Sequence, residues 1–480
     1  MITTLVGLIR NKLLAINLGP TGMGVFAQLF GVQALAAGLV PMGMQTEALR
    51  FVAKHRSEDP VAVARFVSTA SKVFLLTSSA TVLLCFIFLK PLSLWALHTT
   101  RYMLFLVPPI IGVLFLVQSQ LWLAYIQAGL DVKMYSKAQV TTAILGLTVL
   151  VPIVLVWNLK GAAVHLLIFA AVGYIVTRIF VKRSMSAEMA ANLKGAAFDL
   201  SAVTSMARFG FANIPVSIFA LLIPFIVRTQ IVKHIGLHAN GIYQAVFAIS
   251  NQYVMVALMA MQTYAFPNIS RLADDVRDVN TQVNNAIKAV LLFSTAGILA
   301  ILLARDLVVN VLFSKEFSPA VGLLPLQMVG DFIRCVGFTV QLPLLAQKRL
   351  LARVVLATLQ SAAFLGVFFV TPPHNRLYGA VLAHVAAWSV LLLSSYIYMS
   401  KTNGYRFTPD NVRLIACGLA AVSLVAFLPI QEPMWRLIAI GTTLAWGATA
   451  LTKHERNQIR ETIATRLADT DKSEEPKIIE

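Results

Sequence analysis

GPTGMGVFAQLFGVQALAAGLVPMGMQTEALRFVAK, residues 19–54, sets the architecture of this chain, because much of it returns later in the sequence. Residues 235–271 read IGLHANGIYQAVFAISNQYVMVALMAMQTYAFPNISR, and the two stretches align at one offset of 217 residues. At that offset Gly19 aligns with Gly236, Gly24 with Gly241, Phe26 with Tyr243, and Met44-Gln45-Thr46 with Met261-Gln262-Thr263. Chance similarity between apolar helices is the alternative, but ordered matches at one offset favour a duplicated helical unit.

The composition places the chain in a lipid bilayer. Of its 480 residues, 58% are hydrophobic and only 12% are charged, whereas soluble domains carry about 25% charged residues. A helix needs roughly 20 mostly apolar residues to cross the hydrocarbon, and about fourteen segments meet that rule. The sequence therefore predicts an all-α polytopic membrane protein.

The repeat divides these segments into domains. We predict two pseudo-symmetric six-helix bundles, residues 1–183 and 209–400, joined by a cytoplasmic linker at 184–208. Two further spans in 401–452 have no partner in the first half. A charged cytoplasmic tail follows at 453–480, with one weak amphipathic set and an end expected to be disordered.

Prolines and charged residues interrupt several of the predicted spans. The first span, residues 2–18, is interrupted by Arg10-Asn11-Lys12, and the second is expected over 25–52. Spans five and six are expected at 138–157 and 162–181, and span ten at 319–345. Prolines recur inside the spans, where kinks would suit bundles that rock: Pro41, Pro108, Pro109, Pro152, Pro215, Pro224, Pro325 and Pro343.

The formal net charge of +18 follows the membrane topology. With both termini in the cytoplasm, most lysines and arginines fall in cytoplasmic loops, as the positive-inside rule requires. This distribution argues against a nucleic-acid partner and favours contact with anionic lipid headgroups. The three cysteines and eight histidines form no disulfide framework or metal-binding spacing, so no cofactor or metal is predicted.

Three cations lie inside the first predicted span of one half or the other. Arg10 and Lys12 lie midway along the first span, and Arg228 lies in the first span of the second half. At the offset of 217, Arg228 aligns with Asn11, within one residue of Arg10. An ionisable residue at this depth costs at least about 2.5–3.5 kcal/mol, so it usually faces a partner or a watery cavity. We therefore expect a cationic central cavity between the halves.

Span ten carries a polar stripe on one helical face. Its members follow spacings of four, three and seven residues: Gln327, Asp331, Arg334 and Gln341. Asp331 and Arg334 can pair, and a purely structural ion pair remains an alternative to a functional one. Glu47 and Arg50, near the inner end of span two, are candidates for coupling or gating, although simple snorkelling explains them equally well.

The excess of buried cations over anions predicts an anionic ligand. Arginine suits phosphate because its planar fork donates two parallel hydrogen bonds, while lysine acts as a point charge. Arg10, Lys12, Arg228 and Arg334 are therefore the predicted substrate-binding residues, for a phosphate or pyrophosphate headgroup.

Three segments carry a resemblance to a known family: residues 19–32 (GPTGMGVFAQLFGV), 48–55 (ALRFVAKH) and 312–334 (LFSKEFSPAVGLLPLQMVGDFIR). They resemble the polysaccharide-flippase branch of the MOP superfamily, and in particular the O-antigen and enterobacterial common antigen flippases. The resemblance covers about residues 5–400. Members of that branch carry a similar Gly-Asp stretch with a following cation, here Gly330-Asp331 and Arg334.

The resemblance implies two bundles in a V around a cationic cavity that opens alternately to each side. It implies translocation of an undecaprenyl-pyrophosphate-linked oligosaccharide across a bacterial inner membrane, with a polysaccharide polymerase and a chain-length regulator as neighbours. Two departures stand out. The first span is short, which predicts a natural start upstream of Met1, and the two extra spans occur also in lipid II flippases, which keeps a peptidoglycan precursor open as the substrate.

Other classes remain as alternatives. A cation-coupled multidrug exporter would share the fold, but such a cavity would be expected to be lined with carboxylates. A membrane polymerase or glycosyltransferase would need a larger external loop, so we expect no enzyme. No phosphate-binding loop favours an ATP-driven machine. If an H⁺ or Na⁺ gradient drives transport, Asp331 or Glu47 would be the coupling carboxylate.

Overall fold

A computed structural model describes residues 2–450 except 42–43, 56–57, 130, 273–274, 348 and 430–431. Every regular element of these residues is helical. Ten helices of the described part are long and apolar enough to cross a membrane. The expected tail at 453–480 and Asp274 of the loop after residue 271 lie outside the described residues.

The helices of the first half alternate long apolar segments with short connecting helices. They are α1 (Ile2–Leu39), α2 (Met44–His55), α3 (Pro60–Ile87), α4 (Leu89–Leu97), α5 (Val107–Ala128), α6 (Val132–Ser184) and α7 (Ala187–Gly195). The second half contains α8 (Leu200–His234), α9 (Leu237–Arg271), α10 (Val276–Leu303), α11 (Arg305–Leu312), α12 (Leu324–Val340), α13 (Leu342–Ala346), α14 (Leu350–Val370) and α15 (Arg376–Asn403). Two more helices follow, α16 (Pro409–Phe427) and α17 (Pro433–Ala450).

Two of the long helices are broken at a single residue. In α1 the backbone of Gly19 has a φ of 60°, and in α6 that of Asn158 has a φ of 47°. Both values lie in the left-handed region, which glycine adopts freely and asparagine tolerates. The breaks fall between the predicted spans one and two and between five and six. Gly236, which aligns with Gly19, also has a positive φ, of 109°.

Several predicted boundaries were wrong. The second span does not run to Val52, because α1 ends at Leu39, just before Pro41, and α2 begins as a separate helix. A proline disfavours helical geometry in the residue before it, which explains this stop. The residues 184–208 are not a simple loop, because they contain α7 and the start of α8 at Leu200.

Four of the eight prolines also differ from the expected mid-span kinks, whereas Pro152 does lie inside α6. Pro108 and Pro109 lie in the first turn of α5, Pro325 in the first turn of α12, and Pro343 in that of α13. In a first turn the missing N–H has no helical acceptor anyway, so the proline costs nothing there. These four residues start helices and do not bend them.

A reciprocal contact joins the two halves where α1 and α9 cross. A Cβ built on Gly24 would lie 1.9 Å from the carbonyl oxygen of Leu237, and one built on Gly241 would lie 1.8 Å from that of Pro20. Pro20 and Leu237 are related by the same offset of 217 as Gly24 and Gly241. The side-chain amide of Asn240 donates to the Gly24 carbonyl oxygen at 2.8 Å. Only glycine permits backbones to approach this closely.

The same face of α1 continues against α8. Gly31 and Gly38 follow Gly24 at intervals of seven residues, two helical turns apart. A Cβ on Gly31 would lie 3.1 Å from the ring of Phe225, and one on Gly38 would lie 2.3 Å from Leu221. The stripe therefore packs α1 closely against the second half over residues 24–38.

The helix α16 is fastened to the second half at both ends. Near the start of α10, the side-chain oxygen of Asn284 accepts hydrogen bonds from the Tyr405 hydroxyl (3.3 Å), the Thr408 N–H (3.2 Å) and the Asn411 amide (2.8 Å). At the opposite end Arg305 donates to the carbonyl oxygens of Ala426 (3.1 Å) and Leu428 (3.2 Å). The appended helices are thus an integral part of this half.

Candidate functional site

The centre of the candidate site is the buried carboxylate of Asp331 on α12. One of its oxygens accepts the Ser250 hydroxyl at 2.5 Å, and the other lies 3.0 Å from Nε2 of His384 on α15. Gln327, one turn before Asp331, donates to the same Ser250 hydroxyl at 3.0 Å. Asp331 is fully buried, and these bonds offset the cost of removing its charge from water.

Arg334 is oriented mainly by groups other than Asp331. Its Nη1 donates to the Asn251 side chain on α9 at 3.0 Å, and its guanidinium lies 5.1 Å from the ring centroid of Trp388. The closest approach of Arg334 to Asp331 is 3.9 Å, which is an ion pair without a hydrogen bond. The predicted pair exists, but Ser250 and His384 are the closer partners of the carboxylate.

Arg228 on α8 is a buried cation without a partner carboxylate in the described part of the chain. Only 6% of the residue is exposed, and its buried Nε has no hydrogen-bond partner. The guanidinium lies over the ring of Phe247 on α9, 4.9 Å from its centroid. Phe247 and Asn251 are one turn apart, so Arg228 and Arg334 approach the same face of α9.

Arg10 and Lys12, although close in sequence, have different surroundings. The Nε of Arg10 is buried and lacks a hydrogen-bond partner. The Nζ of Lys12 donates to the carbonyl oxygens of Asn310 (2.8 Å) and Phe313 (2.5 Å) at the end of α11. A cation is stabilised at a helix C-terminus by the free carbonyls and the helix dipole. Lys12 thus has a structural partner, whereas Arg10 has an unused donor.

Glu47 and Arg50 form a hydrogen-bonded pair on α2. Two guanidinium nitrogens of Arg50 donate to the Glu47 carboxylate at 2.9 and 3.0 Å. Glu47 is buried, while most of the Arg50 side chain is exposed. The Ser205 hydroxyl of α8 also donates to Glu47, at 3.0 Å. This bond connects the first half to the second on the side of the bundle opposite to Gly24.

Several residues of the site were missed by the sequence analysis. His384 is a lone histidine in an apolar helix, and Ser250 and Asn251 lie among many similar polar residues of α9. One signal was present, in the glycine of Gly330-Asp331. A Cβ on Gly330 would lie 2.5 Å from Cδ2 of His384, so the glycine is what lets the imidazole reach the carboxylate.

The geometry supports two kinds of chemistry. A guanidinium with an unused donor can bind an anion, and a buried carboxylate paired with an imidazole can hold or release a proton. No group of three or more potential metal ligands occurs among the described side chains.

Solved transporters share this fold. The lipid II flippase MurJ in an inward closed conformation has a TM-score of 0.69 and 13% identity, covering 95% of this chain and 98% of that one. An inward-facing multidrug resistance MATE family transporter of the MOP superfamily also has a TM-score of 0.69, with 14% identity, covering 83% and 95%. The protein is therefore a multi-pass membrane protein with the fold of the MOP transporters.

Sequence similarity assigns the chain to a narrower group than the shared fold does. A family model described as "Polysaccharide biosynthesis protein" matches residues 13–322, and the chain belongs to that family. The lipid III flippase of Escherichia coli (strain K12) is 27% identical over 398 residues, which cover 80% of this chain and 91% of that protein.

Proposed function

We propose that this protein is a flippase that moves a polyprenyl-pyrophosphate-linked oligosaccharide from the inner to the outer leaflet of a bacterial inner membrane. The polyprenyl group is undecaprenyl, and the glycan is of the O-antigen or enterobacterial common antigen type. Both termini lie in the cytoplasm. The family assignment and the similarity to a lipid III flippase support this proposal.

The observation that carries the proposal is the buried guanidinium of Arg228, whose Nε has no hydrogen-bond partner and which has no partner carboxylate among the described residues. An uncompensated charge in this environment costs several kcal/mol, and no described carboxylate offsets it. A pyrophosphate supplies the missing negative charge and the acceptors for the free Nε. Arg10, with its unused donor, is the second contact of the headgroup, while Lys12 and Arg334 contribute positive charge from the positions that their protein partners fix.

Transport would proceed by alternating access. Fourteen spans form two six-helix bundles and an appended pair, and rocking of the bundles exposes the headgroup to each side in turn. The contact at Gly24 closes one side, and the bond between Glu47 and Ser205 closes the other. A headgroup that binds one arrangement more tightly shifts the equilibrium between them.

A proton gradient is the proposed energy source, with Asp331 as the coupling carboxylate. Its bond to His384 places two titratable groups 3.0 Å apart, so protonation of either changes their interaction. Na⁺ in place of H⁺ at Asp331, or Glu47 in place of Asp331, is the alternative. A polysaccharide polymerase and a chain-length regulator are the proposed neighbours in the pathway.

A cation-coupled exporter is the second candidate, favoured by the equally high TM-score of the MATE transporter. The two candidates differ in the charge of their cargo. An exporter of cationic compounds would be indifferent to Arg228 or improved by its loss, whereas a flippase for a pyrophosphate lipid requires it.

The test is leaflet-resolved transport of a prenyl-pyrophosphate oligosaccharide in proteoliposomes. Arg228→Ala and Arg10→Ala are each expected to lower the rate at least tenfold, because hydrogen bonds to charged groups contribute about 1.5–3 kcal/mol. Arg228→Lys should retain part of the rate, since it keeps the charge but loses the fork. Arg277→Ala, at an exposed position of α10, is the matched control and should leave transport unchanged.

Two results would contradict the proposal. Wild-type protein that moves no prenyl-pyrophosphate lipid but exports cationic dyes would favour the exporter. Transport that is equally fast in both alanine variants would assign the arginines a structural role.

A further inference from the structure

We propose that an apolar groove between α1, α3, α4 and α8 holds part of the polyprenyl chain of the substrate while its headgroup is bound. This inference rests on the proposed flippase function and adds a second subsite to it. The groove has a volume of about 460 Å³, which is within the range of about 300–1,000 Å³ for small-molecule sites.

The groove is lined almost entirely by hydrocarbon. Its walls include Leu35 and Leu39 of α1, Leu92 and Trp95 of α4, and Phe225 of α8. By contrast, two other cavities of similar volume on the described surface each contain charged side chains. A site of this composition favours an apolar ligand.

The two threonine hydroxyls in the groove already have partners. The hydroxyl of Thr77 donates to the carbonyl oxygen of Val73 at 2.8 Å, and that of Thr81 donates to the carbonyl oxygen of Thr77 at 2.9 Å. A threonine whose hydroxyl bonds back to its own helix presents only its methyl group and Cβ to a ligand. A hydrocarbon chain can therefore fill the groove without leaving either hydroxyl unbonded.

The groove and the proposed headgroup site share the helix α8. Phe225 forms part of its wall, and Arg228 follows three residues later on the same helix. Residues three apart lie on neighbouring positions of one helical face, about one turn apart. The ring of Phe225 also contacts that of Trp95, with centroids 4.9 Å apart. The two parts of a lipid with an anionic head and an apolar tail thus have adjacent sites on one helix.

Attachment to a bound headgroup allows the groove to select the polyprenyl chain of the substrate over the acyl chains of bulk lipid. Hydrocarbon gains little by leaving lipid for an apolar protein surface, because both surroundings are equally apolar. A chain whose headgroup is already bound next to the groove, however, is present at a high effective concentration, in the millimolar range for short flexible connections. Packing against the groove then adds to headgroup affinity, and it does so more for a long chain than for a short one.

Chain length is therefore the experimental variable. Transport of a glycan pyrophosphate on a long polyprenyl chain is compared with transport of the same glycan on a ten-carbon chain, in proteoliposomes. Ala80→Phe places a ring in the groove from α3, where Ala80 contributes to the lining. Ser79→Phe adds similar bulk at an exposed residue on the opposite face of the same helix and is the matched control.

Ala80→Phe is expected to lower transport of the long-chain substrate about tenfold, equivalent to about 1.4 kcal/mol, and to leave the short-chain substrate unchanged. Ser79→Phe should change neither rate. Equal loss for both chain lengths, or no loss for either, would overturn the groove as a chain site. If wild-type protein moves neither lipid, the flippase function itself fails.

A binding measurement tests the groove without transport. A long-chain prenyl pyrophosphate with a diazirine near the middle of the chain is photolysed with the full-length protein, and adducts are mapped by mass spectrometry. Adducts on 77–85 of α3 and 32–40 of α1 that an excess of unlabelled long-chain lipid removes, and the short-chain lipid does not, support the proposal. Adducts spread over the exposed helix faces, or removed equally by ordinary phospholipid, would overturn it.

Discussion

Replacing Gly24 with alanine places a methyl group where the backbone of α9 passes α1. The new Cβ would lie 1.9 Å from the carbonyl oxygen of Leu237. Side-chain Cβ atoms are essentially never found closer than 3.0 Å to such an atom, so the two helices must separate by about 1.1 Å. Overpacking of this kind costs about 1–3 kcal/mol, and it acts only on arrangements in which the contact is closed.

The variant is therefore expected to shift the equilibrium toward the arrangement that is open on this side. A bias of about 1–3 kcal/mol corresponds to a change in population of roughly 5–150-fold. Spin labels at Thr21 and His238, both exposed beside the contact, report the open and closed populations in a background without native cysteines. Gly366→Ala, at a glycine with open space around it, is the control and should change nothing.

Because the contact is reciprocal, it also gives a prediction for the double variant that combines Gly24→Ala with Gly241→Ala. Gly241→Ala alone should produce a similar shift, because its Cβ would meet Pro20 at 1.8 Å. A single separation of the helices relieves both overlaps, so the double variant should cost clearly less than the two single variants together. Strictly additive costs, or an unchanged population in Gly24→Ala, would refute the idea that this contact closes the protein.

Three further predictions concern stability. Lys12→Met removes the cation from the end of α11 and should destabilise the protein by about 0.3–1 kcal/mol, with faster hydrogen exchange in α11 and no change in α4. Asn284→Ala removes the common acceptor of three hydrogen bonds and should cost about 1–3 kcal/mol, seen as a lower melting temperature and faster exchange over residues 404–411. Asp199→Ala removes the side chain that caps α8 and should cost about 1 kcal/mol at neutral pH. Hydrogen bonds from the Ser201 side chain and from the first N–H groups of α8 lower the pKa of Asp199 below its usual 3.8. The contribution of this cap is therefore present above pH 3.8 and lost as the pH falls below it, where variant and wild type should converge.

The features with a local physical cause could be predicted from the sequence. Long apolar segments fixed the helical membrane class, and the offset of 217 correctly paired Gly24 with Gly241. The break at Asn158 was placed within a few residues, although nothing in the sequence shows that one left-handed residue suffices for it. The end of α1 before Pro41 could have been inferred from proline geometry, but the uninterrupted apolar run around it favoured a longer span.

The site was harder to predict because its contacts join distant parts of the chain. Lys12 bonds to carbonyl oxygens about 300 residues away, and a backbone acceptor leaves no mark in the sequence. His384 contacts Asp331 from α15, and nothing in the sequence of that helix indicates that this histidine faces a carboxylate on α12. By contrast, the sequence marked Arg228 as a candidate because a lone arginine in an apolar segment is costly wherever its helix packs, and the structure does bury it; its role in binding stays a prediction.

The contact between Gly24 and Gly241 also bears on the origin of the chain. In each half a glycine leaves room for a backbone carbonyl oxygen of the other half. The contact surface is therefore complementary to itself. Two separate copies of a single half could make the same contact about a two-fold axis, without any loop to join them. If the halves arose by duplication, as the offset of 217 predicts, fusion into one chain would leave the two copies free to diverge. Arg228, which aligns with Asn11 at that offset, is then a position at which the two halves differ.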